Sequence, residues 1–109
     1  MKLVIVESPY AGDVERNERY ARACLADCLQ RGEAPFASHL LYTQPGVLDD
    51  TIIAERHLGI EAGLAWATMA DLAAVYTDLG ITAGMHIGIG RHTMQGREVQ
   101  HRKLAGWER

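Results

Sequence analysis

Three short stretches of the chain concentrate side chains able to do chemistry. The first is Glu7-Ser8-Pro9-Tyr10-Ala11-Gly12-Asp13, with Arg16 just behind it. Ser8 and Arg16 are donors of the kind that hold a phosphate. A helix opening after Asp13 would add free backbone N–H groups and about half a positive charge. The stretch is neither a Walker A loop nor G-x-G-x-x-G, so it also reads as a plain strand-to-helix turn with a capping Asp. The second stretch is Ser38-His39-Leu40-Leu41-Tyr42-Thr43-Gln44. His39 offers ring nitrogens to a ribose or a base, and Tyr42 offers a face on which a base stacks. The plainer reading has Tyr42 covering the core and His39 on the surface. The third stretch runs from Thr77 through Asp78 and Gly80 to Gly84-Met85-His86. An acid ending a strand, as Asp78 does, commonly takes ribose hydroxyls, and Gly84 opens a helix whose N–H groups suit an anion. Glu55 and Glu61 add carboxylates suited to acid–base or nucleophilic work, or to an ordinary solvated helix face beside Arg56. His57, His92 and His101 read as surface residues.

These stretches fall where an alternating pattern of strands and helices would carry them. Residues 3–6 form a continuous, β-branched apolar run of the kind buried on both faces of a sheet. Asp13 reads as the N-cap of a helix over residues 14–31. Its apolar positions Val14, Ala21, Cys24, Leu25, Cys28 and Leu29 share one face, and Gly32 stops it. Residues 34–38 read as a second strand and 39–50 as a long connection, a length that in a small domain is often functional. Asp49 or Asp50 caps a helix over residues 51–69, with Ile53, Ile60, Leu64 and Trp66 inside and Glu55, Arg56 and His57 outside. A third strand spans 72–77, a third helix 84–95, and a polar edge strand 98–102. This order predicts a small doubly wound α/β fold, a parallel sheet of four to five strands with about three helices. Ligands on such sheets lie beyond the carboxyl ends of the strands, where the three stretches converge.

The totals set limits. The 109 residues suffice for one domain, and with 48% apolar residues that domain can bury a core. The formal net charge of -3 supplies no basic excess for coating a nucleic acid. Cys24 and Cys28 are the only cysteines and read as buried thiols in a reducing compartment. The apolar run before Glu7 is too short for a secretory signal, and no run approaches the ~20 residues of a membrane span. The expectation is a cytoplasmic protein with no metal and no cofactor.

Ser8-Pro9-Tyr10 with Gly12-Asp13, Leu64-Ala65-Trp66 with Ala70-Asp71, and Gly84-Met85-His86-Ile87-Gly88-Ile89-Gly90-Arg91 together resemble the nucleoside 2-deoxyribosyltransferase superfamily. The likeness covers nearly the whole chain and is strongest to very small members often encoded by bacteriophages. Active relatives use a Glu nucleophile in a G-x-x-x-E-L-G motif, by the logic of glycoside hydrolysis. Laid on this chain, the resemblance puts that Glu at Gly88 and a second acid at Gly63. It therefore implies a protein that binds a nucleotide or nucleotide-sugar, such as an ADP-ribose-type signal, without cleaving it. Glycines at 84, 88 and 90 are expected to open room beside the sugar. A phage protein of this kind would sequester a host immune nucleotide in the host cytoplasm. The alternative is an N-glycosidase or deoxyribosyltransferase acting on nucleoside monophosphates, with Glu7, Glu61 or Asp78 replacing the missing acid. The ligand contacts expected are Ser8, Tyr10, Gly12, Arg16, His39, Tyr42, Asp78, Gly84, Met85 and His86. Relatives assemble as homodimers or larger oligomers, so a homo-oligomer is expected, with no nucleic-acid or membrane partner.

Overall fold

The computed structural model describes residues 1–107. Four strands, β1 (Leu3–Glu7), β2 (Ala34–Phe36), β3 (Leu72–Tyr76) and β4 (Glu98–Arg102), form one sheet in the order β2-β1-β3-β4, every pair parallel. Helix α1 (Val14–Gln30) joins β1 to β2. A single turn, α2 (Ser38–Leu41), and α3 (Ile53–Ala67) join β2 to β3, and α4 (Ala83–Met94) joins β3 to β4. The chain steps outward from β1 to β2, then returns past it to β3. That reversal is the switch point, and right-handed crossovers from it put α1 on one face and α3 and α4 on the other.

The α1 face holds the core. Val4, Val6, Leu72, Ala74 and Tyr76 from the strands meet Tyr20, Ala21, Cys24 and Cys28 from α1, all buried. Both cysteines are free. Asp13 caps α1, accepting from the Arg16 backbone N–H at 3.2 Å. Tyr76 lends this interior a polar thread, donating to Asp27 at 2.7 Å and lying under the Arg102 guanidinium. Arg102 in turn grips Glu33 with two bonds of 2.8 and 2.7 Å. Burial of Tyr76 pushes its phenol well above the ordinary range, so it stays a donor.

The other face departs from the sequence pattern. The second strand ends at Phe36, and 38–41 form a helical turn rather than loop. Neither Asp49 nor Asp50 caps α3, whose N-cap is Ile52 with no side-chain bond. The Asp49 side chain instead accepts from Thr51, and the Asp49 N–H donates to Glu55 Oε1 at 3.0 Å. Ile53, Ile60 and Trp66, expected inside, are exposed, Ile53 at 73% and Trp66 at 57%, while Glu55 is half-buried. The reason lies in two glycines. A Cβ at Gly63 would stand 2.6 Å from Ser38 Oγ, and one at Gly59 3.3 Å from Leu48 Cδ1. Helix α3 therefore docks along a seam of its smallest residues, with Ala67 as its only buried side chain; Ile53 and Leu58 point away, while Trp66 keeps one side of its ring against Phe36. Among the described residues no helix is long and apolar enough to cross a membrane.

Candidate functional site

The carboxyl edge of the sheet carries a cleft of about 710 Å³, the scale of a small-molecule site. One wall is the first loop, through Tyr10, Ala11, Gly12 and Val14. The other is residues 43–51 together with Glu55. A smaller cavity adjoins it, sharing Thr43, Leu48, Asp50 and Glu55 and reaching inward to Ser38, His39 and Tyr42.

The first loop is pinned by Asn17, which follows Arg16 in the first turn of α1. Asn17 is buried in the first turns of α1, and its side-chain amide donates to the carbonyls of Tyr10 and Ala11 at 2.8 and 3.1 Å. Gly12 has a φ of 101°, a left-handed value that any Cβ would strain. Arg16 is half-buried, and its Nε has no hydrogen-bond partner among the described residues.

Ser8 and His39, expected from separate loops, are joined. Ser8 Oγ lies 2.7 Å from His39 Nε2. Burial pushes the His39 ring below its ordinary pKa, and the charges of Glu7 and Asp50 pull it back only in part. The ring is therefore neutral near pH 7 and able to take or give a hydrogen bond at either nitrogen. Tyr42 lines the inner cavity, but its ring packs edge-on to Phe36 and its hydroxyl accepts from Trp66 Nε1 at 3.0 Å. It is thus braced within an aromatic cluster.

The third loop does not join this wall. Asp78 Oδ2 accepts from Tyr20 Oη at 2.5 Å and from the Leu104 N–H at 2.9 Å, and Tyr20 stacks edge-on against Trp107. Asp78 faces the α1 side and ties down the C-terminal segment. Met85 is buried, with its sulfur against the N–H of Thr82, while Gly84 and His86 are exposed. Thr82 caps α4 through the Met85 N–H. Neither cavity is lined by Asp78, Gly84, Met85 or His86.

Two further departures sit at the end of β1. His92, read as a surface residue, is 2% exposed, because α4 turns it onto the sheet to meet Glu7: Nε2 lies 2.9 Å from Glu7 Oε2. Its other nitrogen receives Arg97 at 2.8 Å. Gly88 does not leave the expected room, since a Cβ there would stand 2.8 Å from Glu7 Oε2 and 2.9 Å from Oε1. The space is taken by the Glu7 carboxylate. Gly90 has open space around it. Glu61 is exposed, and Glu55 belongs to the cleft wall, so they form no working pair. Among the described residues no group of three His, Cys, Asp or Glu side chains is placed to hold a metal ion.

The arrangement is a polar edge with one neutral imidazole, a rigid glycine-containing loop and a carboxylate at the switch point. No curated protein matches the chain in sequence. A solved structure of a 2-deoxyribosyltransferase from the psychrotolerant bacterium Bacillus psychrosaccharolyticus matches in fold, with a TM-score of 0.66 at 17% identity, over 98% of this chain and 76% of that one. The fold is thus nucleoside 2-deoxyribosyltransferase-like. A family model matches residues 2–102, nearly the whole length, and the chain belongs to that family, the domain of unknown function DUF7768.

Proposed function

We propose that this protein holds a nucleotide or nucleotide-sugar in the cleft at the carboxyl edge of the sheet and does not cleave it. The observation that carries the reading is the cleft itself. It lies at the strand ends, its first wall is a loop pinned by Asn17 and leading into a helix N-terminus, and its inner end is lined by a neutral His39. Backbone N–H groups of the first loop suit a phosphate and His39 suits a sugar or base edge, while Arg16 and Ser8 stand behind the lining, Ser8 bonded to His39. Helix α4 contributes no acid to this edge, since position 88 is glycine. A protein that binds without turning its ligand over acts by lowering the free concentration, which fits the sequestering role expected of a phage-encoded member in its host's cytoplasm.

A second reading is favoured by one observation: the Glu7 carboxylate stands where a side chain at 88 would begin. In that reading Glu7 supports N-glycosidic cleavage. A panel of nucleoside monophosphates and ADP-ribose separates the two. Under the binding reading, ligand at 100 times its Kd raises stability by about 2.7 kcal/mol and no free base appears. Base release that Glu7→Gln abolishes overturns it. Silence in both assays across the panel defeats both readings.

The exposed apolar side chains of α3, Ile53 and Ile60 on one side and Leu58 on the other, support a homo-oligomer in which a second copy covers Leu58. Leu58→Arg is expected to leave the protomer's stability within about 0.5 kcal/mol while shifting sedimentation to the monomer. A monomeric wild type sinks the assembly.

A further inference from the structure

Glu7 is a costly residue in its position. It ends β1, the central strand at the switch point, on the face toward α4, where an aliphatic side chain would pack with Ile5 and Val75. Three residues of the following chain are shaped around it. Gly88 leaves out the Cβ that would collide with both carboxylate oxygens. His92 is buried and presents Nε2 at 2.9 Å from Oε2. Arg97, from beyond the end of α4, presents Nη1 at 2.8 Å from His92 Nδ1.

The chain of donors has one direction. A guanidinium only donates, so His92 Nδ1 accepts from Arg97, and the ring proton sits on Nε2, aimed at Glu7 Oε2. Arg97 is itself steadied by Gln95, which accepts from Nη2 at 2.7 Å. One carboxylate oxygen is thus held by a fixed N–H. The other, Oε1, receives no hydrogen bond among the described residues, and the side chain keeps 21% of its surface open. The carboxylate is thus oriented through one oxygen while the other stays open to solvent. It is well explained as a waiting acceptor.

We infer that Glu7 Oε1 accepts the hydroxyls of the ligand's sugar, with His92 and Arg97 as positioning residues, so that the site selects ribo- over 2′,3′-dideoxy-ligands. A carboxylate offers only acceptors, and a ribose 2′,3′-diol offers two adjacent O–H donors. Glu7 itself lines neither cavity, but the next residue, Ser8, bonds His39 of the inner cavity and the Glu7 charge acts on that ring, so the carboxylate stands behind the His39 wall that a sugar would meet. The inference rests on the nucleotide-binding reading above and adds to it the group that reads the sugar.

The test is binding of the four ribonucleoside monophosphates and their 2′,3′-dideoxy counterparts by calorimetry, on the full chain. Wild type is expected to prefer the ribo form at least tenfold. Glu7→Gln, close in shape, should bring the two forms within about twofold of each other while the dideoxy affinity stays put. His92→Leu should do the same. His92→Gln, whose amide nitrogen reaches toward the place of Nε2, should restore the preference, which a merely structural role for His92 does not predict. Equal binding of both forms by wild type, or a preference that survives Glu7→Gln, overturns the inference and leaves the nucleotide reading intact. Failure of every nucleotide to bind removes both.

Discussion

The two faces of the sheet are built to different standards. Under α1, Tyr20, Cys24, Cys28 and Tyr76 are fully buried, and the phenols, Asp78 and the Arg102–Glu33 pair meet one another's hydrogen bonds. Under α3 and α4, Ala67 is all that α3 buries, large apolar side chains face outward, and the polar groups at the sheet edge include an oxygen and a neutral ring with capacity left over. The first face meets most of its polar groups within the chain, leaving Asn17 Oδ1 and Trp107 Nε1 without partners among the described residues, and the second leaves its large apolar side chains open. Stability therefore resides on the α1 side, and ligand or partner contacts are to be sought on the other. This division matches the general need of binding sites for groups that the fold has not already satisfied.

Substitutions can challenge that division. The largest effect is expected from Arg102→Met on the closed face, which strands Glu33 and removes a donor from Tyr76. About 3 kcal/mol should be lost in denaturant unfolding, with ligand affinity unchanged. Gly63→Ala comes next. Its methyl meets Ser38 at the Cβ as well as the Oγ, so α3 must shift, at about 1–3 kcal/mol. Because the seam of α3 borders the inner cavity, this variant should also weaken ligand binding.

The pH profile of stability should show each face in turn. His39 is held below its ordinary value of 6.5 in the fold, so the unfolded chain takes up the proton first. Its contribution is whole above that pH and fades as pH falls below it, and His39→Gln should flatten this step. Glu33 is held below 4.5 by the hydrogen bonds of Arg102, outweighing burial. Its contribution is whole above pH 4.5 and disappears with further acidification, and Arg102→Met should erase that second step. A profile with neither step, or with both removed by one substitution, contradicts the assignment.

Gly88→Ala is the mildest in stability and the most informative about the site. The methyl collides with the tip of Glu7, a flexible group that can swing aside, and alanine favours the helix by about 1 kcal/mol. The melting temperature should hardly move, whereas the preference for ribo-ligands should vanish. If the preference persists, Glu7 is not the reader of the sugar.

Much of the fold was legible in the order of residues. The apolar run of β1, the capped face of α1 carrying Cys24 and Cys28, the buried LAAVY run of β3 and the polar β4 follow from local pattern, since each element's period says which face it buries. The loops Ser8–Gly12 and Ser38–Gln44 were recognisable as site candidates by residue type. What pattern could not convey was which side chains meet. Helix α3 reads as amphipathic in the usual sense, yet it docks by Gly59 and Gly63, because the approach of α2 and Leu48 leaves no room for more. His92 reads as a surface residue until α4 lays it against the end of β1. Asp78 and Glu7 are both acids at strand ends, and nothing local separates them. Each keeps one oxygen without a bond from the described residues, but Tyr20 and Leu104 hold Asp78 by Oδ2 on the α1 side while His92 holds Glu7 by Oε2 on the α4 side, a difference set by contacts between residues far apart in the chain. Local sequence dictates hydrogen-bonded period and burial, but the partner of a buried polar group is chosen by packing across the sheet.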